Sequence, residues 1–511
     1  MYFTQGLHRS VQREPDAIAV VDGDRQLTFA QLESRVSRLA GVFTSRGLEP
    51  GDRVGMLATN CLEYVEYAFA CSWSSMVLSP LNNRWSLDEL AFQIEDAGIR
   101  VLLVDGPRRA VAQQLRDRCP VLETVIVFGA EELHAGAVDY ELALASQAPV
   151  SDTYADSDAL AVLMYTGGTT GRPKGVMLSA GQILTSAMGV LASTGGPNLA
   201  GRYLHVAPLF HLAAFAGLVR SSVEGSTHIL MGDFTVEKLV ETIADKRVTQ
   251  TVLVPTMVAS MLEYSARAGL PIDSLRFITY GASPMPERLL HTLIERLPEL
   301  RLHQGYGMTE LAPAATVLRD EDHRNPEHPE RLRSVGRAAP HAEVRIVDAF
   351  DTELSRGEIG EVIVRGNNVM TGYWNNPVET AKALRDGWMH TGDLGFMDQY
   401  GYVFLVDRLK DMIISGGENV YSAEVEAALS LHPGVSSCAV IGVPDDKWGE
   451  RVHAVIVLTP ETILSGEELR DFVGERIARY KAPRTVDFVD ALPLSPVGKI
   501  LKRTLRESYV S

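Results

Sequence analysis

Apolar positions in the first half of the chain follow two alternating rhythms. After Thr28, the residues Leu32, Val36, Leu39, Ala40 and Phe43 share one side of a predicted helix that stops near Gly47. Thr28 with Gln31 is a capping-box signature for its start. Ser86 with Glu89 opens a second helix in the same way, and the apolar run 101–104 follows it as a strand. Another buried strand is predicted at 160–164. Such alternation predicts an α/β fold, with mostly parallel sheets covered by helices.

From about Ala339 the pattern shortens. Strand-like runs at 344–347, 361–364 and 402–406 are broken by glycines and acidic turns, which predicts a small β-rich subdomain over about 339–409. A boundary falls near 407–411. Beyond it, a helix at 423–431, strands at 437–441 and 452–458, and a helix at 466–478 suffice for a compact α+β domain. The expected division is a large N-terminal portion of several subdomains, 1–409, and a small C-terminal domain, 410–511. The charge-dense segment 319–333, with Pro326 and Pro329, reads as a solvated loop.

At 511 residues the chain exceeds one ordinary core, and 46% apolar with 22% charged residues is a globular profile. A formal charge of −17 argues against a nucleic-acid partner. The first residues, Met1 to Gly6, carry no basic segment leading into an apolar run, so no signal peptide is expected. No apolar stretch reaches about 18 residues, so no transmembrane segment is expected either. Cys61, Cys71, Cys119 and Cys438 are too scattered for a zinc or redox pair and read as thiols in a reducing cytoplasm. A homo-oligomer is left open.

Chemistry enters at 165–175, Tyr-Thr-Gly-Gly-Thr-Thr-Gly-Arg-Pro-Lys-Gly, directly after the strand at 160–164. Glycines and threonine hydroxyls there can turn N–H and O–H groups toward phosphate oxygens, and Lys174 adds a charge. The loop is not a Walker A motif, because Pro173 precedes the lysine and Gly175 follows it. A second segment, His303-Gln304-Gly305-Tyr306-Gly307-Met308-Thr309-Glu310, offers glycines for close approach, an aromatic face for a flat base, and oxygen donors suited to a phosphate and a hard metal.

Together these segments resemble the adenylate-forming superfamily of acyl-CoA synthetases, luciferases and peptide-synthetase adenylation domains. The similarity runs over about residues 165–503. One departure is Gly167, where the family usually carries serine. The resemblance implies that Thr166, Gly167, Gly168, Thr169, Thr170, Gly171 and Lys174 hold the ATP phosphates. It implies adenine contacts for Gly281, Ala282, Ser283, Gln304, Gly305, Tyr306 and Gly307. It further implies that Thr309 meets the α-phosphate, that Glu310 supports Mg²⁺, and that Asp393, assisted by Arg408, accepts the ribose hydroxyls. His211 and Phe215, with Gly281, Gly305 and Gly307, would border the acyl site.

In the C-terminal part, Gly416, Gly417 and Trp448 match the CoA side, Lys410 the pivot of a mobile domain, and Lys499 the catalytic lysine bridging substrate carboxylate and α-phosphate. Segments 407–419 and 443–450 look especially like those of free-standing fatty-acyl-CoA synthetases. The expected activity is ATP-dependent acyl-CoA synthesis. Small residues at Gly281, Ala282, Gly305, Gly307, Ala312 and Ala315 would allow a long apolar channel, so a medium- or long-chain fatty acid is expected. An aryl or cyclic acid is the alternative, as is transfer to a carrier protein.

Overall fold

The computed structural model describes residues 1–130, 132–134, 136–166, 173–195, 201–281, 285–415, 418–445, 447–494 and 500–509. By packing, the chain divides into two compact units: 1–344 with 364–389, and 345–363 with 390–511.

The first unit holds two large sheets of the expected α/β kind. In one, the strands Arg53–Leu57, Val77–Pro80, Val101–Asp105, Thr124–Phe128 and Leu160–Thr166 run parallel. Lys174–Ser179 returns antiparallel to the last of them, and Gly372–Tyr373 closes that edge. The other sheet has a parallel centre: Thr227–Leu230, Arg202–His205, Gln250–Leu253, Phe277–Tyr280 and Arg301–Gly307. Beyond Arg301–Gly307, the strands Ala314–Leu318 and Arg337–Ala338 continue it antiparallel.

The two capping boxes form as the local sequence dictates. Thr28 with Gln31 starts the helix Phe29–Ser45, and Ser86 with Glu89 starts Leu87–Ala97. Segment 319–333 departs from expectation. It forms a helix, Asp320–His323, and a 3-10 turn, Pro329–Arg333, and Asp322 and His323 are buried. The His323 Nδ1–H donates to the Arg319 carbonyl at 2.7 Å, which leaves Nε2 to accept from the Tyr280 hydroxyl at 2.8 Å. Partners far away in sequence therefore draw this polar segment inward.

In the second unit, Val435–Asp445 and Gly449–Leu458 pair antiparallel, flanked by Ile413–Ser415 and Thr485–Phe488. Their residues alternate between two cores. Cys438 and Val440 pack with Val425 and Leu429 of the helix Ser422–Ser430. Ala439, Ile441 and Val443 pack with Leu505 on the other side. Among the described residues no helix is long and apolar enough to cross a membrane.

A test of the packing lies in the helix Ala180–Ser193. A Cβ at Gly189 would sit 1.7 Å from Nδ1 of His341, a ring tied through Nε2 to the Ala314 carbonyl at 2.8 Å. Helix propensity alone favours alanine there by about 1 kcal/mol, but overpacking costs about 1–3 kcal/mol. Gly189→Ala is expected to be net destabilising in urea unfolding. A variant at least as stable as the parent would show that the His341 ring yields freely.

Candidate active site

The strand Arg301–Gly307 delivers the central residues. Leu302 and Gln304 face one side of the sheet and are buried, with the Tyr280 hydroxyl 3.4 Å from Gln304 Oε1. Gly305 lies on the other side, where a Cβ would meet nothing within 4 Å. At Gly281, just past the neighbouring strand Phe277–Tyr280, a Cβ would lie 2.8 Å from the Gly305 carbonyl oxygen. Tyr306 is buried near the strand's end. Gly307 must lack a side chain, because a Cβ would lie 1.9 Å from the Pro313 carbonyl oxygen. The chain then folds into the 3-10 turn Thr309–Leu311, closed by Ala312 at φ 58°.

One segment braces that turn. Asn368 Nδ2 donates to the carbonyls of Leu311 (2.8 Å) and Ala314 (3.1 Å), and the Met370 N–H donates to the Glu310 carbonyl at 2.8 Å. The Glu310 side chain is buried, and its Oε1 accepts the Tyr373 hydroxyl at 2.8 Å. Burial, and after it the charge of Glu310, push the Tyr373 phenol well above its ordinary pKa, so it remains a donor.

The other face of this contact is cationic. Lys174 Nζ lies 5.2 Å from the centre of the Tyr373 ring, a cation–π geometry. Lys174 also donates to Glu379 Oε2 at 2.5 Å, and Lys382 donates to Glu379 Oε1 at 2.7 Å. These two hydrogen bonds, that of Lys174 first, pull the Glu379 carboxyl down to about 2. Lys174 pairs with Thr166 across the strands, and the two residues bracket most of the predicted phosphate loop in sequence. Sequence reasoning singled out Lys174 and Glu310 but not Tyr373 and Glu379 as their partners.

The remaining predicted residues are distributed as follows. His211 caps the helix Leu212–Glu224, its ring 4.5 Å from that of Phe210. Phe215 is fully buried and stacks on Phe3 at 5.9 Å, so its ring serves the core. Ala312 and Ala315 are likewise core residues with no exposure. In the second unit, Asp393 is buried opposite Arg408 in the strand register, and Arg408 Nε reaches its Oδ1 at 2.6 Å. The Arg484 guanidinium lies 3.9 Å over the Trp448 ring. Lys410 is exposed in the turn between Val403–Arg408 and Ile413–Ser415. Gly167, Gly168, Thr169, Thr170, Gly171, Ala282, Ser283, Gly416, Gly417 and Lys499 lie outside the described residues.

Among the described residues no cluster of three or more His, Cys, Asp or Glu is arranged to hold a metal. A single buried carboxylate fits Mg²⁺, which characteristically takes one or two carboxylates and completes its octahedron with waters and substrate phosphates.

Comparison with known proteins gives the family of the chain. Residues 7–374 match the AMP-binding enzyme family and residues 424–499 its C-terminal domain. A feruloyl-CoA synthase from Amycolatopsis sp is 40% identical over 508 residues, 98% of each chain. A long-chain-fatty-acid–CoA ligase from Mycobacterium tuberculosis is 36% identical, covering 95% of this chain and 94% of its own. Among solved structures, the o-succinylbenzoate CoA synthetase from Bacillus subtilis, in complex with its acyl-adenylate intermediate, superposes with a TM-score of 0.85 at 33% identity, covering 98% of this chain and 97% of its own. The chain belongs to the AMP-binding enzyme family, the adenylate-forming superfamily. Its class is that of the AMP-forming acid–CoA ligases.

Tyr373→Phe isolates the hydroxyl, because it keeps the ring face toward Lys174. Leaving the buried Glu310 short of one donor is expected to cost about 1–3 kcal/mol in thermal unfolding. ATP- and acid-dependent pyrophosphate release is expected to fall at least about tenfold as the carboxylate loses its fixed orientation. Unchanged pyrophosphate release would show that this bond does not position Glu310.

Proposed function

We propose that the chain activates an aryl or cyclic carboxylic acid with ATP and passes the acyl group to CoA. The acid carboxylate attacks the α-phosphate and pyrophosphate leaves. The CoA thiolate then attacks the acyl carbon, and AMP leaves. The observation that carries the adenylation step is the Lys174–Tyr373–Glu310 arrangement, a phosphate-loop cation and a buried carboxylate joined through one side chain. The choice of acid is supported by the feruloyl-CoA synthase likeness and by the open space beside Gly305, next to the turn that carries Thr309. The likeness to a long-chain-fatty-acid–CoA ligase favours a second reading, a medium- or long-chain acid.

In this proposal Lys174 and Thr166 meet the triphosphate, with the loop residues 167–171. Gln304 and Tyr306 border adenine, with Gly281, Ala282 and Ser283. Thr309 orients the α-phosphate, and Asp393 takes the ribose hydroxyls. His211 borders the acyl entrance, and Gly416, Gly417 and Trp448 serve CoA. Mg²⁺, held by Glu310 and the phosphates, would neutralise charge on the triphosphate. Lys499 is assigned the cation that offsets charge on the α-phosphate and acyl oxygen.

AMP release with CoA, measured over acids from acetate to palmitate with benzoate and cinnamate, tests the acid class. Preference for a long alkyl chain over every aryl acid would reverse the choice made here. For Lys499→Ala, adenylate formation is expected to fall on the order of 10²–10³-fold, while thioester formation from supplied acyl-adenylate largely survives. Equal loss of both half-reactions would remove Lys499 from that role.

The pivot is tested separately. Lys410→Pro fixes φ near −65° and restricts Leu409 before it. The variant is expected to release pyrophosphate yet lose most CoA transfer. Acyl-CoA formation at the parent rate would place the pivot elsewhere.

A further inference from the structure

The nine-stranded sheet of the first unit has two unlike faces. Alternate residues Leu253, Ile278, Tyr280 and Leu302 belong to one apolar core. The opposite face, toward the helix Leu212–Glu224, is polar: Tyr203, Gln250, Thr279 and His303 share it through the strand register. It is also incompletely closed. Val252, Phe277, Thr279 and Gly305 keep intermediate exposure on this face, although they lie on central strands, as does Gly281 just past one of them, and a Cβ at Gly305 would enter open space. A sheet face that is polar and half-open beneath a helix is a poor core and a suitable cleft.

Arg220, on that helix, is 8% exposed and reaches into this face. Its Nη2 donates to Gln250 Oε1 at 3.0 Å, its Nη1 to Thr279 Oγ1 at 3.4 Å, and its guanidinium lies 5.6 Å from the centre of the Tyr203 ring. Its Nε is buried with no hydrogen-bond partner among the described residues, 3.9 Å from Glu224 Oε1. His303, 3% exposed, also buries Nδ1 with no partner among the described residues. Burial, and then the charge of Arg220, push that imidazole down to about 3, so it is neutral and one ring nitrogen can accept. Such groups are costly unless something bonds to them.

From this geometry we propose that Arg220, Thr279 and His303 form a specificity site for a neutral hydroxyl on the distal end of an aryl acid, a phenol in particular. The inference rests on the aryl-acid reading above. Length agrees with it. His303 lies two to four residues of strand, about 7–13 Å, before Gly305 and Gly307. That is the span from the carboxylate to the ring hydroxyl of a hydroxyaryl propenoic acid. Charge decides against a second carboxylate, because Glu224 already balances Arg220, and a further buried anion would stand uncompensated. A hydroxyl can donate to His303 Nδ1 and accept from the Thr279 hydroxyl or Arg220 without adding charge.

The experiment compares cinnamic with 4-hydroxycinnamic acid on the full chain, reading KM and kcat from AMP release with CoA. Thr279→Val keeps shape and removes one hydroxyl. The double variant Arg220→Gln/Glu224→Gln removes both charges together, which avoids leaving Glu224 without its cation. The parent is expected to prefer the hydroxy acid. In the double variant, KM for 4-hydroxycinnamate is expected to rise roughly 10- to 100-fold, the loss of hydrogen bonds involving a charged donor, with KM for cinnamate and both kcat values little changed. Thr279→Val should show the same direction to a smaller degree. Equal losses for both acids in either variant, with a parent-like melting temperature, would overturn the specificity site and leave the aryl-acid reading intact. A parent that turns over neither aryl acid but accepts alkyl acids would overturn the aryl-acid reading and this site with it.

Discussion

Keeping a carboxylate out of water is the constraint around which the site in the first unit is organised. Glu310 is buried in a chain whose formal charge is −17, where a second nearby anion would be expensive. The answer is an alternating series. The Tyr373 hydroxyl donates to Glu310, the Tyr373 ring faces Lys174, Lys174 pairs with Glu379, and Lys382 completes that carboxylate. Each group is satisfied by a neighbour of opposite character, so none is buried at the full cost of its desolvation. The arrangement also fixes orientation. With Oε1 engaged by Tyr373 and the backbone carbonyl held by Met370, the Glu310 carboxylate has a defined direction before any ligand arrives.

Backbone requirements make the same strand suitable for close approach. Gly307 has no room for a Cβ against Pro313, whereas Gly305 has room that the protein leaves open. Two glycines in one motif thus answer different demands: one lets the chain pack against itself, the other leaves space beside the sheet. Ala312 and Ala315, small for the first reason, are spent in the core. The size of a residue in the sequence therefore does not reveal whether it opens a channel.

The two faces of the nine-stranded sheet extend this contrast. The face holding Ile278 and Leu302 is buried and mainly apolar, as a stability-bearing core should be. The face holding Thr279 and His303 carries buried polar atoms and residual exposure. Strand geometry assigns neighbouring residues to opposite sides, so one pair of strands supplies both a core and a cleft wall.

Much of the local structure was legible in the chain alone. Both capping boxes form where the sequence places them, because an N-cap and its third residue meet within a single turn. The strand–helix alternation and the two nucleotide motifs are similarly short-range patterns, and the family assignment agrees with them. What the sequence could not supply are contacts between side chains distant along it. Tyr373 and Glu310 are 63 positions apart, Lys174 and Glu379 are 205, and no spacing rule links them. Segment 319–333 reads as solvated by composition, yet Tyr280 on a separate strand gives His323 a buried partner. Arg220 belongs to no motif in the sequence, and only the fold turns it onto Gln250 and Thr279. Local periodicity and caps are decided by neighbours within a few residues, so the sequence determines them. Which polar groups share a buried site depends on where the sheet brings remote strands together, and only the tertiary structure decides that.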